Sequence, residues 1–577
     1  MDITITLHTE PGAAPEERAV RAGTSVEELL LEYRSHLPYR VITAKVDGDD
    51  VPLGFTLEKD CDVTFCDIRE NTANRTFQRG LCFVYLKAVR ETLGPDVQVT
   101  IESSVNRGLY TTIKGGRLQA VPTGGRQDAA PTVLFGADLR RIEKRMWEIV
   151  DANLPITTTT VGKADLFGYL RRIGADEKLD LLQNAPDVHY ISVAHLDGYT
   201  NYFYGILPPS TGYAQPFALD PYHGGVLLRF PHPSDPSRIA QYTKDDHIFA
   251  AYEEEQRALE AAGLTTISDL DRAVTQGRAK EIIETFEARH ADKIAALAHE
   301  IAASKKRVVL LAGPSSSGKT TTSKRLIAAL AENEGVPCLY LGTDDFFVER
   351  EDAPKDSKGE YNFEGLDAMD TELFARTINA LLAGEPADIP RFDFLTGKKV
   401  FGERTETLAA GALVLVEGIH ALNRRMSKGI PEAEKFKVYI SPLTQLNIDD
   451  HNRVPSTDVR LIRRMLRDHR TRGYDVRDTI KSWPKVRDGE SVNIFPYNDE
   501  ADAVFNSTLV YELPVMRRYV EPLLEEIRPG DPEYGHAKWL LYFLRFFTPV
   551  AAADEAAIPK ESILREFIGG GILEEET

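Results

Sequence analysis

The run Gly313-Pro314-Ser315-Ser316-Ser317-Gly318-Lys319-Thr320 has the spacing GxxxxGK[ST] of a loop that cradles a phosphate chain. Its glycines let backbone N–H groups turn toward an anion, and the positive end of a following helix adds to the attraction. Lys319 in this pattern reaches the β- and γ-phosphates, and the Thr320 hydroxyl ligates Mg²⁺. Gly313, Ser315, Ser316, Ser317, Gly318, Lys319, Thr320 and the next residue, Thr321, are therefore the expected nucleotide contacts. Glu417 can serve the same cation, directly or from one layer further out. The pair Asp344-Asp345 supplies an acid placed to take a proton from an acceptor hydroxyl. Between Arg460 and Arg487 the chain carries ten Lys/Arg against three Asp/Glu, a local charge of +7 within a total of −20. Arg460, Arg463 or Arg464, and Arg467 recur at helical spacing and share a face. Charge so opposite to its surroundings points to an arginine lid over phosphates.

The elements that must hold these groups are legible around them. Val308–Ala312 is a short apolar run, as a central parallel strand should be, and it enters the glycine loop directly. From Thr321 to Leu330 the apolar spacing is helical, with Leu326, Ala329 and Leu330 on one side. Leu413–Val416 and Cys338–Leu341 are further apolar strands, ending at Glu417 and just before Asp344. In parallel α/β sheets ligands bind at that carboxyl edge. Upstream, Ile3–Leu7, Val41–Val46 and Asp62–Phe65 alternate as strands, and Ser25–Glu32 reads as a capped helix. A charged, Ala-rich helical stretch from Ile267 to Ser304 leads into the loop-bearing region.

Composition sets the outer bounds. The chain has 577 residues, 42% hydrophobic and 27% charged, enough apolar material for two to four domains at about 150 residues each. Collagen-like and mainly disordered classes are excluded. No apolar run approaches the roughly 18 residues of a membrane span, and the first residues lack a secretory pattern. Four scattered cysteines make neither a disulfide framework nor paired zinc knuckles. The expectation is a cytoplasmic protein with no membrane partner. Its net charge of −20 argues against non-specific nucleic-acid binding by the whole chain.

With these residues in view, the region from about Arg307 to Leu513 resembles the uridine kinase and phosphoribulokinase family of P-loop kinases. The carrying segments are GTDDFF, YNFEGLDAMD, IPRFDFLTGKK, LVEGIHAL and DVRLIRRMLRDHRTRGYD. The resemblance implies ATP and Mg²⁺, with Asp344 as catalytic base beside Lys319. It places Arg464 and Arg467 on acceptor and phosphates, and Arg472 on the phosphate chain. Phe347, Phe363, Glu364, Phe392, Phe394 and Lys399, with Arg464 and Arg467, would line the acceptor site, and Thr320 and Glu417 the metal site. There are departures. Glu364 replaces the Asp that holds ribose hydroxyls, Gly397 replaces a base-contacting His, Phe392 replaces a Tyr, and Tyr474 replaces the lid's last Arg. Two base-reading groups are thus missing, and such groups carry strong discrimination.

The front of the chain resembles other proteins. VRAGTSVEELL and VITAKVDGDDVPLGFTLEKDCDVTF are similar to the TGS domain of threonyl-tRNA synthetases, a β-grasp fold. FVYLKAVRETLGPDVQVTIESSVNRGLY and ADLFGYLRRIGADEKLDLLQ resemble the synthetases' second accessory domain. That family's HxxxH and CxxxH editing motifs are absent, and Arg79–Phe83 stands where the first should fall, so editing is not expected. The resulting architecture is multidomain α/β. It comprises a TGS-like β-grasp (1–67), an α+β synthetase-like domain (68–265), a connecting helix (266–304), a P-loop kinase domain with a parallel sheet flanked by helices (305–550) and a C-terminal tail (551–577). The expected function is phosphoryl transfer to a hydroxyl of a small acceptor, first a nucleoside. The alternatives are a sugar or polyol kinase, and an RNA- or ribosome-associated P-loop regulator. ATP versus GTP stays open, and a homo-oligomer is compatible with a purely structural front half.

Overall fold

The computed structural model describes residues 2–10, 13–105, 107–115, 136–173, 176–184, 188–243, 245–355, 359, 361 and 365–574. The first module is a five-stranded sheet in the order Glu16–Arg21, Asp2–His8, Cys61–Asp67, Val41–Val46, Asp49–Val51. Asp2–His8 alternates exposed and buried side chains, so Ile3, Ile5 and Leu7 all face one core with Leu29 and Val63. The helix Val26–Tyr33 begins where Ser25 and Glu28 cap each other reciprocally. Satisfying two otherwise bare backbone donors fixes that start.

The second region is built around the helix Asn71–Leu93, buried on most sides by Phe77, Leu81, Val84 and Val89. It packs with a four-stranded antiparallel sheet, Ala218–Tyr222, Gly225–Arg229, Gly108–Lys114 and Gln98–Val105. A three-stranded sheet, Thr157–Gly162, Tyr190–Leu196 and Tyr199–Tyr202, stands beside it. This region is hydrogen-bonded to the following one. Ile101 N–H donates to Asp450 O at 2.7 Å, and Asn447 Nδ2 donates to Ile101 O at 3.1 Å.

The connecting stretch is two helices. Ile267–Thr275 opens with a Thr266–Asp269 capping box, and Ala279–Ser304 ends at Lys305 in the left-handed region, φ 59°. That turn aims the chain into a five-stranded parallel sheet, ordered Cys338–Gly342, Leu413–Glu417, Val308–Ala312, Lys435–Ser441, Ala503–Asn506. Every side chain of Val308–Ala312 is buried, as expected of a middle strand covered on both faces.

The residues read from sequence as a tail are packed. Ile558, Ile563, Leu564 and Phe567 are buried in the same core as Leu326 and Leu330 of the helix Lys319–Glu334. The helix Tyr534–Leu544 reaches back to the first module. Gly535 N–H donates to Gly48 O at 3.1 Å, and Lys538 pairs with Asp49 at 2.8 Å. No described helix is long and apolar enough to cross a membrane.

Candidate active site

The glycine loop is shaped by what presses on it. A Cβ at Gly313 would sit 2.0 Å from Ile440 O on the neighbouring strand, so only glycine fits. Ser316 and Gly318 both have positive φ, 60° and 84°, and they reverse the chain into the helix Lys319–Glu334. First-turn amides of any helix lack an intrahelical acceptor, so Lys319, Thr320 and Thr321 present free donors to the loop's hollow.

Strand register brings the carboxylates to the same edge. Glu417 lies opposite Leu311 on one side and Gly342 on the other. Its Oε2 accepts hydrogen bonds from Thr320 Oγ1 at 3.3 Å and Tyr340 Oη at 3.0 Å. Asp344 follows Cys338–Gly342 in the short turn Thr343–Phe346. Enclosure by protein pushes both carboxyls up, and the Lys319 ammonium pulls both down; Arg472 adds its pull at Asp344. Asp345 points elsewhere, its Oδ1 accepting from Phe392 N–H at 3.5 Å. Lys319 itself is folded onto the loop, donating to Pro314 O at 3.2 Å. The Thr320 hydroxyl and the Glu417 carboxylate form an oxygen set that suits a hard divalent cation.

The arginine helix, Ser456–Arg472, divides into two jobs. Arg460 and Arg463 are 3% and 0% exposed, so the sequence expectation of a basic face over phosphates does not hold for them. Arg460 pairs with Glu490 and donates to Ser315 O at 3.0 Å. Arg463 pairs with Glu512 at 2.7 Å and donates to Ser316 O at 3.3 Å. They brace the loop from behind. Arg464, Arg467 and Arg472 instead converge on the buried Asp468, at 3.2, 2.9 and 3.4 Å. Arg464 also donates to Ser315 Oγ at 3.0 Å. A phosphate entering the loop offers these three a stronger, dianionic partner.

Several participants carry no local sequence signal. Glu490 accepts from Ser315 N–H at 2.9 Å, and Glu566 accepts from Thr321 Oγ1 at 2.8 Å, yet each lies far along the chain. Tyr340 sits inside an apolar strand. For Glu490, the charge of Arg460 lowers the carboxyl despite burial. A carboxyl lowered on folding adds stability above its unfolded value and loses it as pH falls through the folded one. Glu490→Gln should therefore cost roughly 3 kcal/mol at neutral pH, the scale for breaking a buried pair. Urea unfolding at a series of pH values checks this: the gap from the parent chain should narrow on acidification.

The expected acceptor wall is an aromatic cluster. Phe347 and Phe392 lie 5.5 Å apart, and Phe394 stands 5.2 Å from Phe392 with 61% of its surface exposed. Lys399 is taken up by Asp370, which also caps the helix Thr371–Ala383. Phe363 and Glu364 lie outside the described residues. Gly397 has φ 71°, and a Cβ there would come 2.6 Å from Arg350 Cβ. Arg350 thus fills the space beside the hairpin where the resemblance has a histidine.

Compared with known proteins, residues 308–513 match the phosphoribulokinase / uridine kinase family. This region is a P-loop kinase domain of that family. Its match spans the sheet, the loop, Asp344, Glu417 and the arginine helix together. The N-terminal third is similar to threonine–tRNA ligases. That of Burkholderia lata is 26% identical over 195 residues, 34% of this chain and 28% of the ligase. That of Symbiobacterium thermophilum is 25% identical over 197 residues, again 34% and 28%. The chain thus spans less than a third of the length of these relatives. Among solved structures, one described as a possible uridine kinase from Bacillus stearothermophilus is 21% identical, with TM-score 0.27, covering 38% of this chain and 100% of that one. D-glycerate 3-kinase from Cryptococcus neoformans is 14% identical, with TM-score 0.22, covering 47% and 90%.

Proposed function

We propose that this chain is an ATP-dependent kinase that transfers the γ-phosphoryl group to a hydroxyl of a small acceptor, a nucleoside before others. The observation that carries the reading is convergence on one sheet edge. Lys319, Thr320, Glu417 and Asp344 come from three neighbouring strand ends, with arginines gathered on Asp468 above them. Phosphoryl transfer needs positioning and charge stabilisation more than covalent help, and this set supplies both. Lys319 and the loop amides hold the phosphates in line. Asp344 takes the acceptor's proton as its oxygen attacks. Arg464 and Arg467, released from Asp468, meet the charge on the transferring group. Thr320 and Glu417 would hold Mg²⁺, which neutralises charge across the β- and γ-phosphates.

A sugar or polyol acceptor is the second reading, supported by the phenylalanine at 392 and the turn-bound Gly397, which supply neither a hydroxyl nor an imidazole at those two positions. Screening nucleosides, sugars and polyols for acceptor-dependent ADP formation with Mg-ATP tests both. No turnover with any acceptor, in a chain that binds ATP, would refute the kinase reading. The front half we read as a TGS-like β-grasp plus a synthetase-like domain serving structure or assembly.

An RNA-binding role for the arginine helix is disfavoured by Arg460 and Arg463, which are buried in ion pairs and turned from any polyanion. Arg464→Ala and Arg467→Ala are each expected to depress kcat by at least about tenfold, because an arginine on the transferring group acts in the transition state. If instead turnover stays intact and RNA binding weakens, its salt slope falling by about one unit per variant, the helix is an RNA face.

A further inference from the structure

A cleft of about 980 Å³ opens where the first module, the second region and the helix Tyr534–Leu544 meet, away from the glycine loop. A small chamber of about 80 Å³ adjoins it, sharing Arg75, Arg79, Phe203 and Trp539 and adding Arg453. Arg75 and Arg79 are one turn apart on the helix Asn71–Leu93, an arrangement that is repulsive unless something answers it. Asp458 forms an ion pair with Arg75 alone, its charge reaching Arg79 and Arg453 only from farther off, and its other oxygen accepts from Trp539 Nε1 at 2.9 Å. The remaining carboxylates of the cleft are engaged, Asp49 with Lys538 at 2.8 Å and Asp50 with Thr72 at 2.8 Å. Among the described residues, Arg79 and Arg453 form no ion pair. Arg79 donates only to Ile206 O, at 3.1 Å.

The fold makes room for these guanidiniums. Gly205 has φ 116°, and a Cβ there would lie 2.6 Å from Arg79 Cζ, so the guanidinium is seated against bare backbone. The guanidinium carbons of Arg75 and Arg79 also stand 5.4 and 5.3 Å from the centre of the Trp539 ring, whose face attracts them. Burial first, and Arg75's charge second, pull Arg79 down to about 9 and Arg453 down to about 10. His536 lines the same cleft, and among the described residues its buried Nε2 has no hydrogen-bond partner. Half-buried cations without an ion pair are costly, and Arg79 against the Trp539 ring, with Arg453 in the adjoining chamber, offers planar donor groups that suit an oxyanion. The volume matches that of small-molecule sites.

We propose that this cleft binds a phosphorylated small molecule, its phosphate on Arg79 and Arg453 and its body against Trp539 and Phe203. This is a second anion site, independent of the kinase loop. Arg75 is its link to the arginine helix, because Asp458 lies on that helix two residues before Arg460.

Inorganic pyrophosphate serves as probe, titrated calorimetrically into the Lys319→Ala chain so that the glycine loop has lost its charge contact. One saturable event is expected. Adding Arg79→Gln or Arg453→Gln to that background should weaken it at least about tenfold, the scale of losing a buried charge contact. Both variants remove a cation that has no ion pair and keep a polar side chain, so each should melt close to its parent, which separates lost binding from lost folding. The proposal is overturned if pyrophosphate fails to bind the Lys319→Ala chain, or if it binds the arginine variants equally well. It is also overturned if Arg464→Ala, not Arg79→Gln, abolishes the event, which would place it at the loop. Failure of pyrophosphate with tight binding of an RNA oligonucleotide would assign the cleft to nucleic acid instead. None of these outcomes depends on the acceptor of the kinase reaction.

Discussion

Lys319→Ala is expected to lower kcat/KM by at least two to three orders of magnitude, about 3–4 kcal/mol of lost transition-state stabilisation. The ammonium is the cation that both edge carboxyls feel, pulling Asp344 and Glu417 down against the enclosure that pushes them up. Its removal therefore does more than delete a phosphate contact. Two carboxylates are left facing each other without the charge between them, and the nucleotide must enter a more negative site. KM for ATP should rise along with the fall in kcat. Steady-state kinetics with varied Mg-ATP would show it, and near-parental turnover would refute the kinase reading.

Asp344→Asn should leave nucleotide affinity near that of the parent and cut kcat by about 10²–10⁴-fold. Asp345→Asn should leave both near the parent, because Asp345 turns toward Phe392 N–H. A large loss at Asp345 with none at Asp344 would mean that the neighbour is the base. The pH profile gives an independent reading. A carboxyl pushed up by its surroundings is charged only above the ordinary aspartate range, so the acid limb of kcat/KM should lie above that range. The limb should move toward acid in kcat, where bound Mg²⁺ adds positive charge beside the base.

The strand, glycine loop and helix around Lys319 were readable from sequence because every constraint on them is local: an apolar run, a spacing, and a helical period that follow one another. The edge position of Glu417 was readable for the same reason. The arginine helix shows where such reading stops. A helical period tells which residues share a face, not what covers that face. Arg460 and Arg463 belong with Arg464 and Arg467 by spacing, yet they are buried because Glu490 and Glu512, 30 and 49 residues away, pair with them. Thr321 is expected from the motif as a nucleotide contact at the start of the helix, and its hydroxyl bonds Glu566, 245 positions on. Partners at such separations leave no periodicity in either segment. The final stretch read as a tail for a related reason: short helices with few apolar residues carry no amphipathic signature of their own, and their burial is set by the helix they cover.

The seam between Asp49 and Lys538 joins residues 489 positions apart. Loop-closure entropy grows only slowly with such length, but the contact cannot form before the helix Tyr534–Leu544 exists and everything between has collapsed. In folding time, seating the helix Tyr534–Leu544 on the first module is therefore a late step, slower than the local events that precede it. The pair that closes it is half open to water, with side chains 55% and 34% exposed, and an ion pair of that kind contributes little. At its rim the contact between this helix and the first module is thus lightly fastened, and the helix should lift there early in unfolding, with the parallel sheet still intact.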